Sequence, residues 1–283
     1  MHKIVIVGGG AGGLELATQL GRKWGKKGKA EIHLVDANHT HLWKPLLHEV
    51  ATGALDSGID ELNYQAHGKK HNFNFQIGRM CGLNRENKII ELSAICDEGE
   101  EILPKREIHY DQLVIALGSV TNDFGTKGAA DHCYFLDGRE QAEIFHHKLL
   151  NQFIKANGSN NPEELSIAIV GAGATGVELS AELYNTTEAL SSYNMSHFKT
   201  DKLKVSLIEA GPQILPALPK RISNAAKREL QNLGVDVLTD TMVTEVTEEG
   251  FVTKSGDIIK AKLKVWAAGV KAPDFLANIG GLE

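Results

Sequence analysis

The sequence predicts an α/β protein built on two parallel sheets, because one strand–glycine–helix pattern occurs twice and each copy leads to a strand that ends in an acid. Lys3–Leu20 reads KIVIVGGGAGGLELATQL, and Ser166–Leu183 reads SIAIVGAGATGVELSAEL. The following strands are IHLVDA, closing on Asp36, and VSLIEA, closing on Glu209. Each copy later returns through an apolar strand ending in small residues, LVIALG at Leu113–Gly118 and KVWAAG at Lys264–Gly269. The length of 283 residues suits two such units at about 150 residues per domain.

The elements follow in chain order. Ile4–Val7 and Ile167–Val170 are short, almost wholly apolar and β-branched, as strands covered on both faces must be. Helices are expected over Ala11–Arg22 and Ala174–Glu188, opening at the glycines, and over Arg139–Ala156, ended by Asn157-Gly158. Phe73–Glu91 and Val235–Lys262 alternate and carry turn signals at Glu249-Gly250 and Ser255-Gly256, which suggests small antiparallel meanders. The Asn-, Gly- and Pro-rich stretch Asn157–Glu164 is the expected boundary between the halves. Arg22, Lys23, Lys26, Lys27 and Lys29 read as a solvated, Gly-punctuated loop.

Composition narrows the function. Hydrophobic residues are 42% and charged residues 23%, enough apolar material for a core, so general disorder is excluded. A net charge of -6 argues against nucleic acid as a partner. No apolar run approaches the ~18 residues of a membrane-spanning helix, and a strand pattern beginning at Lys3 leaves no room for a basic, apolar leader. Cys81, Cys96 and Cys133 form no C-x-x-C pair, which suits a reducing compartment without a metal cage. His39, His41 and His48 lack a ligand spacing and His146-His147 point to different sides of one helix, so solvated or packing roles are expected and no metal site.

The glycines carry the chemistry. Gly8, Gly10 and Gly13 form G-x-G-x-x-G between a strand and a helix. The first permits the tight turn, the second lets a pyrophosphate approach the backbone, and the third allows close helix–strand packing. Free N–H groups at the helix start meet the phosphates. Asp36, 23 residues after Gly13, would accept from a ribose diol. Gly171, Gly173 and Gly176 repeat the pattern, with Glu209 as the acid. These are two Rossmann-like dinucleotide-binding domains, and the economical pairing is FAD in one and NAD in the other, with hydride passing between them. Ala210–Leu218 offers no Arg to offset the repulsion between Glu209 and a 2′-phosphate, so NADH is expected over NADPH.

Three stretches then resemble the type II NADH dehydrogenases, the bacterial NADH:quinone oxidoreductases: HLWKPLLHEVATGALD at His41–Asp56, GATGVELSAEL at Gly173–Leu183 and VWAAGVKAPDFL at Val265–Leu276. The resemblance implies FAD at Gly8, Gly10, Ala11, Gly12, Gly13 and Asp36, and NADH at Gly171, Gly173, Thr175, Gly176 and Glu209. It implies that Lys44 lies in the segment entering the flavin domain, where it could contact FAD or be a solvated helix-edge Lys. Leu117, Gly118, Ala268 and Gly269 would be strand ends close to the cofactors, although packing alone also favours small residues there. Glu178, two residues past Gly176, is the implied catalytic residue, near the meeting place of nicotinamide and flavin. A bland reading, that Glu178 complements the helix dipole, is supported by Glu15 at the equivalent place in the first copy. His41–Val50 contains no cysteine, so the C-x4-C dithiol of disulfide reductases is not expected.

The implied activity is transfer of hydride from NADH to flavin and of two electrons to a membrane quinone, without proton pumping. The alternatives are a soluble NADH-dependent reductase of a small redox protein, and a non-catalytic NADH-binding module. The expected division is residues 1–124 for the FAD-binding domain, 125–161 for a connecting helix and linker, 162–270 for the NADH-binding domain, and 271–283 for the start of the return to the FAD domain. The family's returning strand with its Gly-Asp pair and its membrane-docking C-terminus have no match here, because Gly256-Asp257 falls inside a meander. The expectation is therefore a truncated chain, soluble by itself, with a whole NADH cradle and an incomplete FAD site. The parent is expected as a peripheral enzyme on the cytoplasmic face of the bacterial inner membrane, with a homodimer left open.

Overall fold

The computed structural model describes residues 1–158, 164–192 and 202–282. Two compact units emerge, the first of Met1–Trp43, Gly58–Val120 and Lys271–Glu283, the second of Lys44–Ser57 and Thr121–Val270.

The first unit centres on a four-stranded parallel sheet in the order Gln112–Ile115, His2–Val7, Ala30–Asp36, Asn74–Ile77. Alternation along His2–Val7 divides its side chains between two cores. Ile4 and Ile6 pack with Leu14, Ala17, Ile32, Leu34, Tyr64 and Phe73 on the helical face. Val5 and Val7 pack with Val35, Met80, Ile90, Leu92 and Ile108 on the other. The second face is covered by an antiparallel trio, Met80–Asn84, Ile89–Leu92 and Arg106–His109. Burial on both faces explains why the strand is apolar throughout.

The second unit repeats the design with five parallel strands in the order Tyr134–Phe135, Leu263–Trp266, Leu165–Val170, Leu203–Ile208, Asp236–Leu238. Ala168, Val170, Ile208 and Trp266 pack against Val243, Val246 and Phe251 of an antiparallel trio, Val243–Val246, Gly250–Thr253 and Ile258–Lys260. Ile167 and Ile169, of opposite alternation, are also fully buried.

Several sequence expectations change. The meanders are shorter than Phe73–Glu91 and Val235–Lys262, because Asn74–Ile77 and Asp236–Leu238 join the parallel sheets as edge strands. An alternating pattern with one buried face serves either pairing, and only the neighbouring strand decides. The α-helix expected over Ala11–Arg22 ends at Leu20 and widens into a π turn, Gly21–Gly25, so the basic cluster starts in helical backbone rather than a loop. Gly21 and Gly25 lie against the carbonyls of His71 and Asn72, where a Cβ would collide. The helix expected over Ala174–Glu188 runs to Ser192, and the one over Arg139–Ala156 to Asn157.

Asn157–Glu164, of which 159–163 lie outside the described residues, does not separate the units. The strand Tyr134–Phe135 already belongs to the second sheet, so the passage between units falls near Val120-Thr121 and Val270-Lys271. Lys44–Ser57 also groups with the second unit instead of the first, because helix Leu47–Thr52 buries Leu47, Val50 and Ala51 and packs on helices Arg139–Asn157 and Ala174–Ser192.

His33, buried in strand Ala30–Asp36, supplies a pH test of stability. Burial lowers its pKa, outweighing the nearby Glu31 carboxylate. The unfolded imidazole takes up a proton near pH ~6.5 before the folded one does. Its contribution is therefore present above that pH and lost as pH falls through the folded value. The urea midpoint should drop between pH 7.5 and 5, and His33→Gln should flatten that drop; parallel curves for parent and variant would refute it.

Candidate active site

Two glycine cradles occupy equivalent places at the carboxyl ends of the central strands. Gly8 and Gly171 adopt φ +104° and +100°, the left-handed region that suits glycine. A Cβ on Gly8 would overlap the Ala116 carbonyl, and one on Gly171 the backbone of Ala268. At Gly13 and Gly176 a Cβ would overlap the carbonyls of Gly8 and Gly171, so helix and strand approach as only glycine allows. Gly10, Gly12 and Gly173 instead face open space within 4 Å. Closure at the first and third glycines and openness at the second is the arrangement a pyrophosphate needs. Ala11 and Thr175 are exposed in the first turns of the two helices. Gly10 caps the first without a side-chain hydrogen bond, leaving helix N–H groups open to an anion.

The two acids hold equivalent positions. Asp36 accepts the Gly9 N–H at 2.6 Å on Oδ2 and the Asn38 N–H at 2.8 Å on Oδ1. Glu209 accepts the Ala172 N–H at 2.9 Å on Oε2 and the Gly211 N–H at 2.8 Å on Oε1. Each carboxylate is thus locked to its cradle by one oxygen and to its strand end by the other. Further lone pairs remain on each oxygen for a ribose diol. The residues present therefore fit two dinucleotides.

The carbonyl after the first glycine is braced differently in the two copies. Gly9 O accepts from the Tyr64 hydroxyl at 2.7 Å and from His41 Nδ1 at 2.9 Å. Ala172 O accepts the Leu215 N–H at 2.7 Å. Burial, with Asp36 nearby, drives the Tyr64 pKa upward, keeping the phenol protonated as a donor. Tyr64 carried no motif, and His41 was expected only to pack or face solvent. Neither bond leaves a mark in sequence spacing.

Leu117 and Gly118 follow strand Gln112–Ile115 and lie beside the first cradle, where Ala116 N–H donates to Val7 O at 2.7 Å. Ala268 and Gly269 hold the same place beside the second, where Ala267 N–H donates to Val170 O at 2.8 Å. Gly118 and Gly269 share φ near +70°, at +73° and +68°. Lys44 lies in the second unit rather than entering the first, with Nζ 3.7 Å from Asp137 Oδ1.

Glu178 lies just past the first turn of helix Ala174–Ser192, its side chain 48% exposed and Oε2 3.5 Å from His48 Nδ1. Sequence reasoning missed His48, whose ring is only 12% exposed. No cluster of three or more His, Cys, Asp or Glu side chains among the described residues could hold a metal ion. No described helix is long and apolar enough to cross a membrane.

Comparison with known proteins agrees with this arrangement. The pyridine nucleotide-disulphide oxidoreductase family matches residues 2–283. A type II NADH:quinone oxidoreductase of Haemophilus influenzae is 49% identical over 100% of this chain and 67% of its own length. The chain belongs to that family. The Ndh protein of Mycobacterium tuberculosis, a type II NADH:quinone oxidoreductase, is 30% identical over 96% of this chain and 58% of its own. Among solved structures, NDH2 of Plasmodium falciparum in complex with NADH superposes with a TM-score of 0.83 at 25% identity, covering 98% of this chain and 57% of that one. This type II sequence thus spans roughly three fifths to two thirds of the relatives it matches.

Proposed function

We propose that the chain is the dinucleotide-handling part of an FAD-dependent NADH dehydrogenase that hands two electrons to a quinone without pumping protons. The observation that carries this reading is the pair of cradles, each with closed first and third glycines, an open second glycine and a locked acid. Family membership supports an assignment of partners to the two cradles. Gly8, Gly10, Ala11, Gly12, Gly13 and Asp36 would hold FAD, and Gly171, Gly173, Thr175, Gly176 and Glu209 would hold NADH. FAD, when bound, accepts hydride from NADH and releases two electrons to the acceptor.

The protein's own part is binding, orientation and one proton. The helix N-termini attract the phosphates, and the acids grip the riboses. The strand ends Leu117-Gly118 and Ala268-Gly269 would lie close to the cofactors, where the small Gly118, Ala268 and Gly269 would let backbone approach flat rings. Overall, NADH, one proton and quinone give NAD⁺ and quinol, so a proton must be delivered, and a nearby carboxylate is a group that can relay it. We assign that role to Glu178. Peripheral attachment at the cytoplasmic face of a bacterial inner membrane and a homodimeric state belong to the same reading, supported by the quinone named for the relatives.

Anaerobic NADH titration of the purified chain, with flavin content measured on the same sample, tests the reading. The expected result is a yellow protein bleached by NADH and recoloured by a soluble quinone. Recolouring only by a protein acceptor selects a soluble reductase, and a colourless NADH binder with no turnover selects a binding module. Glu178→Gln should lower quinone-dependent turnover about tenfold, less than the ~10²–10⁴ of a fully positioned acid or base because water also reaches this half-exposed carboxylate, while flavin content stays unchanged. Unchanged turnover across pH would remove Glu178 from the mechanism.

A further inference from the structure

We infer that His48 is the positioning residue for Glu178, its imidazole brought beside that carboxylate by a segment the second unit has captured. The inference rests on the reading of Glu178 given above.

The ring is fixed before Glu178 is considered. Helix Leu47–Thr52 follows a short 3-10 turn, Lys44–Leu46, and ends at Gly53 with φ +84°. It buries Leu47, Val50, Ala51 and Thr52, which sets the direction in which His48 leaves the helix. His48 Nδ1 lies 2.9 Å from the Pro45 carbonyl oxygen. A carbonyl can only accept, so Nδ1 carries the hydrogen and the ring orientation is set. The Thr52 hydroxyl donates back to the His48 carbonyl at 3.1 Å, closing the turn.

Glu178 Oε2 approaches that same N–H, at 3.5 Å, and Glu49 Oε1 stands 3.9 Å from Nε2. Both ring nitrogens therefore face acceptor oxygens. At 3.5 Å the Glu178 oxygen stands at the edge of hydrogen-bond distance, and a small side-chain rotation would let it share that N–H with the Pro45 carbonyl as the second acceptor of a bifurcated bond. A half-exposed glutamate with three free torsions otherwise samples many rotamers. A largely buried donor on a neighbouring helix biases that ensemble towards one.

The first copy shows what the helix alone would give. Glu15 stands at the equivalent position and accepts from Gln19 Nε2, one turn further along its own helix, at 2.7 Å. Dipole complementarity would treat Glu15 and Glu178 alike. Glu178 instead has an imidazole nitrogen 3.5 Å away, brought from a segment 130 residues distant in sequence.

The test compares His48→Asn, His48→Gln and His48→Leu, each also combined with Glu178→Gln, in the flavin-loaded chain. Asn places its amide nitrogen near the position of Nδ1, whereas Gln places it near Nε2 and Leu supplies none. His48→Leu should lower quinone-dependent turnover about fivefold with the KM for NADH unchanged. His48→Asn should stay within about twofold of the parent, and His48→Gln should resemble Leu. In the Glu178→Gln background the His48 replacements should add nothing further. Independently of turnover, the His48 ring N–H signal in a histidine 15N–1H spectrum should move in Glu178→Gln.

A folded His48→Leu with parental turnover, an Asn variant no better than Leu, effects that multiply with Glu178→Gln, or an unmoved ring signal would each overturn the inference. Failure of the Glu178 reading is separate: parental turnover in Glu178→Gln removes that reading, and an impaired His48→Leu alongside it also removes His48 as its positioner.

Discussion

NADH should be used about 100-fold more efficiently than NADPH, measured as kcat/KM with a soluble quinone as acceptor. The reason lies in Glu209, whose two oxygens are tied to the N–H groups of Ala172 and Gly211. A carboxylate held at both ends cannot turn away from a 2′-phosphate. At about 4 Å and an effective dielectric of 20, one such charge pair costs up to ~4 kcal/mol. Each ~1.4 kcal/mol is tenfold, so even two thirds of that repulsion gives about 100-fold. Glu209→Gln should narrow the ratio by raising the NADPH value while weakening NADH through loss of the ribose contact. Comparable efficiency with both nucleotides in the parent would show that Glu209 does not face the ribose.

Gly176→Val should abolish NADH binding, with at least a 100-fold rise in the dissociation constant, and leave flavin content intact. A Cβ at this position overlaps the Gly171 carbonyl, so the helix must withdraw from the strand and carry its N–H groups off the phosphates. Gly13→Val makes the same collision with Gly8 and should have the mirror effect, loss of flavin with the nucleotide site retained. Overpacking of this kind typically costs ~1–3 kcal/mol of stability, which a second unit can survive. Measuring both ligands on both variants separates the two cradles. Loss of both ligands from either variant would show that the assignments of FAD and NADH to separate cradles are wrong. Side chains at the open positions Gly10 and Gly173 should leave the fold intact, because they meet no protein atom within 4 Å, while filling the space a pyrophosphate needs.

Much of this was legible in the chain. The repeated glycine pattern and its distal acids located both cradles, because backbone approach to a phosphate demands glycine at fixed steps and leaves a periodic trace. The all-apolar strands reported sheets covered on both faces, and the triads of Val5, Val7 and Val35 against Ile4, Ile6 and Ile32 show where the two cores divide. What escaped was everything set by a partner distant in sequence. Asn74–Ile77 and Asp236–Leu238 looked like meander strands, since a one-faced alternating pattern does not name its neighbour. The Asn- and Gly-rich stretch near residue 160 looked like a domain boundary, yet Tyr134–Phe135 had already joined the second sheet.

The site shows the same division. From the sequence come Gly8, Gly13, Asp36, Gly171, Gly176 and Glu209, because each is required by local geometry within one strand–turn–helix unit. Only the tertiary structure decided that Tyr64 and His41 brace the Gly9 carbonyl, that Lys44–Ser57 belongs to the second unit, and that His48 meets Glu178. A local backbone requirement restricts which residue can stand at a position, and so it is written in the sequence. A side chain that meets a partner 130 residues away satisfies no local rule, and packing alone brings the two together.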